Sequence, residues 1–307
     1  LCSGQIARLA AQRLNESGLG KAQGISRFAA LVHTEGCGSS IEPELVNTFV
    51  GYVAHPLAAT CLVLEHGCEI SHNDFWRARL RETSLDPQEV GWASVQLDGG
   101  IERVLAKFEA WFTADCERLP MPESVTVGFS ALRLGMMAEG DVDQDTAAVL
   151  FNLAQHIVAA GGRVVLATND PLATNAAFTH PGTKPTLAFA QQAVRPGLHL
   201  MESPAYSWAE TLSGLGAAGS ELIVAVCTTR SQQGHPFIPV LQVASASPPS
   251  QPFHADMDVL LTGDPQQRLT QLLGHLSAVL SRKKTAKLSR QNNISFQITR
   301  GQLGVSL

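Results

Sequence analysis

The chain has 307 residues, 45% apolar and 16% charged, with a formal net charge of -5. That length supports a sizeable core and two domains or lobes, while the acidic balance argues against a general nucleic-acid surface. No apolar run reaches the ~20 residues of a membrane helix, no signal-peptide pattern opens the chain, and six cysteines in this length are not a disulfide framework, so a cytoplasmic protein with reduced thiols is expected.

Helical spacing begins at once, over residues 6–15, where an α/β fold would first place a strand; the sequence therefore reads as a piece of a longer one. A β-rich run at 27–34 follows, then a helix at 43–53 and strands at 60–65 and 90–97. Residues 101–116 carry an apolar stripe of Val104, Leu105, Phe108, Trp111 and Phe112 with charges opposite. The two prolines of "RLPMPES" (118–124) stop that helix and mark a boundary between an N-terminal α/β lobe, 1–118, and a C-terminal α/β lobe, 119–307. In the second lobe, strands are expected at 124–129, 163–168, 198–202, 221–228 and 239–244, and helices at 144–160, 206–214 and 266–281. Runs such as "RVVLAT" and "ELIVAVC" suit strands buried on both faces, and their alternation with helices implies parallel sheets with right-handed crossovers. The expected fold class is α/β, with two lobes of mainly parallel, Rossmann-like sheets flanked by helices.

The glycines of "AAGGRVV" and "GLGAAGSELIV" follow helices and precede strands, so they are C-cap glycines and define no nucleotide loop. The cluster Arg282, Lys283, Lys284 and Lys287 reads as the solvated end of a helix.

Two passages end apolar runs in Gly-Cys: "HTEGCGSS" (33–40) and "LVLEHGCE" (62–69). Ligands collect at the carboxyl ends of parallel strands, so His33, Cys37, Cys68 and Glu69 group as a metal or acid/base cluster. Imidazole and thiolate suit a divalent transition metal. The same stretches also read as turn glycines, Gly36, Gly38 and Gly67, with small thiols between them. His66 and His72 flank the second passage as further ligands or as ordinary loop histidines, and Cys61 and Cys227 read as core. Arg230, in "CTTRSQQGHPFIPV", is suited to bidentate binding of a carboxylate, or is a surface side chain. Asp256 and Asp258, in "HADMD", suit a metal or a cap.

Taken together, "HTEGCGSS", "LVLEHGCE", "HLMESP" with "CTTRSQQGHPFIPV", and "ADMDVLLTG" resemble the motifs of the altronate/galactarate dehydratase family, in its large catalytic portion. The closing "SFQITRGQLGVSL" is similar to that family's end, so the likeness spans essentially the whole chain, without the family's small N-terminal domain. The resemblance implies an iron(II)-dependent hydro-lyase that converts an aldonate or aldarate to a 2-keto-3-deoxy acid. It puts Cys37 and Cys68 near the metal, His33 and Glu69 in proton transfer or metal support, and Arg230, Gly36 and Gly38 at the substrate. The expected partners are a small sugar-acid substrate and further copies of the chain, with neither nucleic acid nor membrane. The chain departs from the family after the strand expected to end near Phe129. Ala131-Leu132-Arg133-Leu134-Gly135 stands where the family carries Cys-Gly-Gly-Ser-Asp, and Thr229-Arg230-Ser231 replaces Gly-Arg-Gly. Two readings follow: an active dehydratase with an altered pocket, or a non-catalytic member that binds sugar acids or regulates a partner. With the Cys-Gly-Gly-Ser-Asp stretch replaced, weak or no turnover of altronate or galactarate is expected.

Overall fold

The computed structural model describes residues 2–33, 36–38, 41–179, 185–204, 207–246 and 251–299. Two compact units divide the chain at Thr126/Val127. In the first, α1 (Gly4–Ser17) and α2 (Pro43–Val53) precede β1 (Leu62–Glu65), α3 (Asn73–Arg81), β2 (Gly91–Ser94) and α4 (Ile101–Arg118). β1 and β2 pair in parallel, Leu62 opposite Gly91 through Glu65 opposite Ser94. The four-residue spacing of Ile6, Ala10 and Leu14 on α1, and of Val104, Phe108 and Phe112 on α4, sets both stripes into one buried core with Ala93.

The strand expected at 27–34 is not formed: residues 25–33 take no regular secondary structure, and Thr34 lies outside the described residues. A side chain replaces the ladder there. The Asn15 amide donates to the Phe28 carbonyl at 2.9 Å and accepts from the Phe28 N–H at 2.8 Å, satisfying both backbone groups that a neighbouring strand would otherwise hold.

The second unit runs β3 (Arg133–Glu139), α5 (Gln144–Ala159), β4 (Arg163–Ala167), α6 (Pro171–Thr174), β5 (Thr186–Leu187), β6 (Gly197–Met201), α7 (Trp208–Ala217), β7 (Leu222–Cys227), β8 (Val240–Ser245), β9 (Val259–Leu261), α8 (Pro265–Leu280) and α9 (Lys287–Gln291). Its strands make one seven-stranded sheet, ordered β5-β6-β4-β3-β7-β8-β9, with every pairing parallel. Leu134, Met136, Val164, Leu166, Leu222 and Val224 share a core with α5 and α8. Residues of opposite parity, Met137, Val165, Ile223 and Ala225, are buried too, so the central strands are covered on both faces. The chain is an α/β protein. Among the described residues no helix is long and apolar enough to cross a membrane.

The central strand β3 is not where the alternation of "SVTVGF" puts it. Val125 and Val127 are 73% and 66% exposed, and residues 124–128 form no strand. The buried run Leu134–Ala138 takes the central place instead, because only a segment apolar on both faces can lie between β4 and β7. Gly135 lets β7 approach closely: a Cβ there would stand 2.9 Å from Ile223 Cγ1 and 3.0 Å from Ser220 Oγ. Ala131 therefore closes a 3-10 turn, and Arg133, Leu134 and Gly135 open the strand. They are not the loop that leaves it.

Asp170 fastens β3 to the end of β4. Its carboxylate accepts from Ala138 N at 3.0 Å and from Leu172 N, in the first turn of α6, at 2.9 Å. Burial pushes this carboxyl up from 3.8 to about 7, against the lowering effect of the Leu172 and Ala138 amides. A folded-state pKa above the unfolded one means that the native state binds the proton more tightly. The stabilisation is thus present at low pH and is lost as pH rises from about 4 to about 7. The urea midpoint of the protein should fall between about pH 5.5 and pH 8, and Asp170→Asn should flatten that fall. An unchanged slope in the variant would rule out Asp170 as its source.

Candidate functional site

In the first unit, β1 leads into His66-Gly67-Cys68-Glu69, and the ladder continues one step beyond the strand through Val95 N to Glu65 O and Gln96 N to His66 O, both 3.0 Å. Gly67 has φ +113°, and a Cβ there would stand 2.9 Å from Gln96 Oε1, so the turn requires glycine. Glu69 closes the loop. Its Oε1 accepts from His66 N at 2.7 Å, and its Oε2 from Gly67 N at 2.8 Å and Cys68 N at 3.1 Å. Partial burial would raise this carboxyl, but the amides of His66, Gly67, Glu69 itself and Cys68 outweigh it and hold it below the usual range. A carboxylate committed to three amides is a loop brace and a weak base. Glu65 serves the neighbouring turn, accepting from Asn73 N at the start of α3, and His72 caps that helix, accepting from Phe75 N.

The two Gly-Cys passages meet. The Cys37 carbonyl accepts from Ile70 N at 3.1 Å, and the Cys37 thiol stands near enough to influence the ionisation of Cys68. Local desolvation first, then the nearness of Cys37, Glu69 and Cys2, push the Cys68 thiol up. His66 Nδ1 stands 3.6 Å from Cys68 Sγ. Cys2, Cys37 and Cys68 are all exposed. Gly36 and Gly38 border Cys37, and a Cβ on either would meet nothing within 4 Å, so neither is demanded by packing and both leave the backbone open on the thiol's flanks. His33 is half-buried at the end of the irregular segment, and Thr34, Glu35, Ser39 and Ser40 lie outside the described residues. Among the described residues no three of His, Cys, Asp or Glu converge to hold a metal ion. The donor set present is the thiol pair, which fits two positions of a soft divalent ion.

In the second unit, the chain moves from β3 outward to β4 and returns to β7 on β3's other side. This reversal opens a crevice at the carboxyl ends of the two strands. Glu139, the last residue of β3, anchors it: its carboxylate accepts from Thr229 Oγ1 at 2.6 Å, Thr229 N at 3.0 Å and Thr228 N at 3.1 Å. Burial would raise Glu139, but these groups, with Arg230 beside them, hold it below the usual range. Arg230 Nε is 3.7 Å from Glu139, and its side chain is 75% exposed, so this ion pair adds little stability. The loop leaving β3 is Gly140-Asp141-Val142-Asp143. Gly140 has φ +77°, and Asp143 caps α5 by accepting from Thr146 N at 2.9 Å. A cavity of about 190 Å³ opens here, lined by Asp141, Asp143, Thr146, Thr228 and His254 among others.

Several polar residues of the quoted motifs are structural. His235 is 1% exposed and accepts at Nδ1 from Phe237 N and Ile238 N. Asp258 ties β8 to α9 by accepting from Gln242 N and Lys287 N, and Asp256 accepts from Ser231 Oγ. Cys227 is a core thiol, pushed up to about 12 by burial and then by Glu139. Glu139, Asp141, Asp143 and Thr146 were hidden by the misplaced strand. The acidic run "EGDVDQD" directly after the apolar "LGMMA" is the signal that finds them.

A parallel α/β sheet with a polar crevice at its reversal point, joined in one chain to a unit carrying neighbouring thiols, defines an α/β protein with a crevice where such folds collect ligands. Residues 1–115 match the family model described as D-galactarate dehydratase/Altronate hydrolase, second domain. No curated protein matches the chain significantly.

The thiol pair gives a direct test. A trivalent monoarsenical binds two neighbouring thiols at once, and one equivalent should bind tightly to the protein. Either Cys37→Ser or Cys68→Ser should abolish that binding, while Cys227→Ser should not. Glu69→Ala, which strips the loop of its brace, should lower stability by about 1–3 kcal/mol in urea unfolding, the usual worth of hydrogen bonds to a charged group.

Proposed function

We propose that the protein is a sugar-acid dehydratase of the altronate/galactarate type, removing water from an aldonate or aldarate to give a 2-keto-3-deoxy acid. The single observation that carries this reading is the family match over residues 1–115, the unit in which the Cys37 and Cys68 thiols meet. The reaction takes a proton from the carbon next to a carboxylate and expels the neighbouring hydroxyl. It needs electrostatic stabilisation of the charge that develops on the carboxylate oxygens, and a group to move the proton. Iron(II) is the metal we propose for Cys37 and Cys68; bound there, it would supply Lewis acidity to the substrate's oxygens. His33, in the same unit, is the proposed proton carrier at its imidazole. Glu69, held ionised by its amides, supports the loop that presents Cys68. Gly36 and Gly38 leave room for substrate beside Cys37. Arg230 is suited to a substrate carboxylate once a ligand competes for it with Glu139.

The non-catalytic reading drew its support from residues 131–135 and from Thr229-Arg230-Ser231. Residues 131–135 belong to a 3-10 turn and to β3. The loop that leaves β3 contains a glycine and two aspartates, so part of the ground for expecting lost catalysis is removed, although the loop has no cysteine and Thr229-Arg230-Ser231 still replaces Gly-Arg-Gly.

The test is 2-keto acid formation from a panel of aldonates and aldarates by protein purified anaerobically with ferrous iron. We expect product from at least one substrate. Cys37→Ser should abolish it, and His33→Ala should lower kcat by about 10²–10⁴-fold, the usual share of general acid–base catalysis. Bound iron with no product from any substrate would leave only the non-catalytic reading.

A further inference from the structure

We infer that the cavity at the β3/β7 reversal point takes an uncharged polyhydroxy group and disfavours a carboxylate, so that among sugar acids it prefers aldonates to aldarates. The first support is an unsatisfied group. Thr146 is 1% exposed, its hydroxyl has no hydrogen-bond partner, and it lines the cavity. A buried hydroxyl without a partner is unfavourable, by an amount that a ligand hydroxyl placed there would recover.

The second support is the charge of the walls. Asp141 and Asp143 line the cavity, and no lysine or arginine lines it among the described residues. Carboxylates accept hydrogen bonds and sugar hydroxyls donate them, whereas a ligand carboxylate at this spot would face like charge. The amino end of α5 gives an anion no refuge, because Asp143 already occupies the cap, with its carboxylate on Thr146 N. His254 supplies the complementary donor. Its Nδ1 accepts from Gln251 N at 3.4 Å, so the neutral ring carries its proton on Nε2. Phe253 adds an apolar wall suited to the C–H face of a carbon chain. The set is a polyol's complement. An aldonate has one such neutral end; an aldarate has a carboxylate at both.

Calorimetric titration of the whole protein with galactitol, galactonate and galactarate varies only the terminal groups on one carbon skeleton. Galactitol and galactonate should bind, and galactarate should bind at least about tenfold more weakly. Asp141→Asn should narrow that gap. Thr146→Val should weaken galactitol binding by about fivefold, the worth of one hydrogen bond, yet leave the Tm of the free protein equal or higher, because the hydroxyl it removes has no partner there. Galactarate binding as tightly as galactonate, or galactitol binding that is absent or indifferent to both substitutions, would overturn the inference. Keto acid formation from the same preparations separates the two readings. Turnover that favours galactarate would overturn the preference and spare the dehydratase, whereas galactitol binding that responds as expected, with no turnover of any acid, would sink the dehydratase and leave the cavity's preference standing.

Discussion

The parallel pairing of β3 with β7, Leu134 opposite Leu222 through Glu139 opposite Cys227, is the constraint on which the second unit's chemistry depends. Because β4, β6 and β5 lie to one side of β3, and β7, β8 and β9 to the other, the loops leaving β3 and β7 depart in opposite directions. The space between them cannot close by backbone alone. Glu139 bridges its base by drawing Thr228 and Thr229 onto one carboxylate. Gly140 then turns the chain away at a positive φ, where a Cβ would stand 2.5 Å from Thr228 Oγ1. Asp141, Asp143 and Thr228 are placed by that pairing and that turn.

The first unit solves a similar problem with the same chemistry. Glu65 and Glu69 stand at the end of β1 and spend their oxygens on amides of the turns that follow. In both units the carboxylate nearest the strand end is thus a fastener. Saturation with backbone donors stabilises its charged form and removes its basicity. The groups left for a ligand lie one step further out: the thiols of Cys37 and Cys68 in one unit, Asp141 and the Thr146 hydroxyl in the other. Acids read from sequence as catalytic therefore divide by what their oxygens already hold, which spacing cannot reveal.

The fold class was legible because β4 and β7 are continuous apolar runs, and buried parallel strands leave that mark. β3 was not, because Gly135, Met136 and Met137 have none of the β-branched character of "SVTV", and because the alternation at 124–128 imitates a half-buried strand while lying in solvent. That one displacement carried the site with it, turning a loop of glycine and two acids into an apolar stretch. The convergence of the two Gly-Cys passages was legible, but for a different reason from the one the sequence suggested. Cys37 follows an irregular segment held by Asn15, and no strand end brings it to Cys68. Cys2, close enough to influence Cys68, had no motif to mark it, since proximity between the first residues of a chain and a loop more than sixty positions on leaves no local pattern.

Asp143 belongs to two structures at once. Its carboxylate begins α5 through Thr146 N, and the same side chain forms part of the cavity wall. Behind that cap, Ala147, Leu150, Leu153 and Ile157 run down the helix into the core of the sheet. Any molecule that enters the crevice and leans on Asp143 must negotiate with the helix for it. Occupancy of the cavity and fraying of the first turn of α5 are then two faces of a single equilibrium, so that amide exchange at the start of this helix would register a ligand that never touches the backbone.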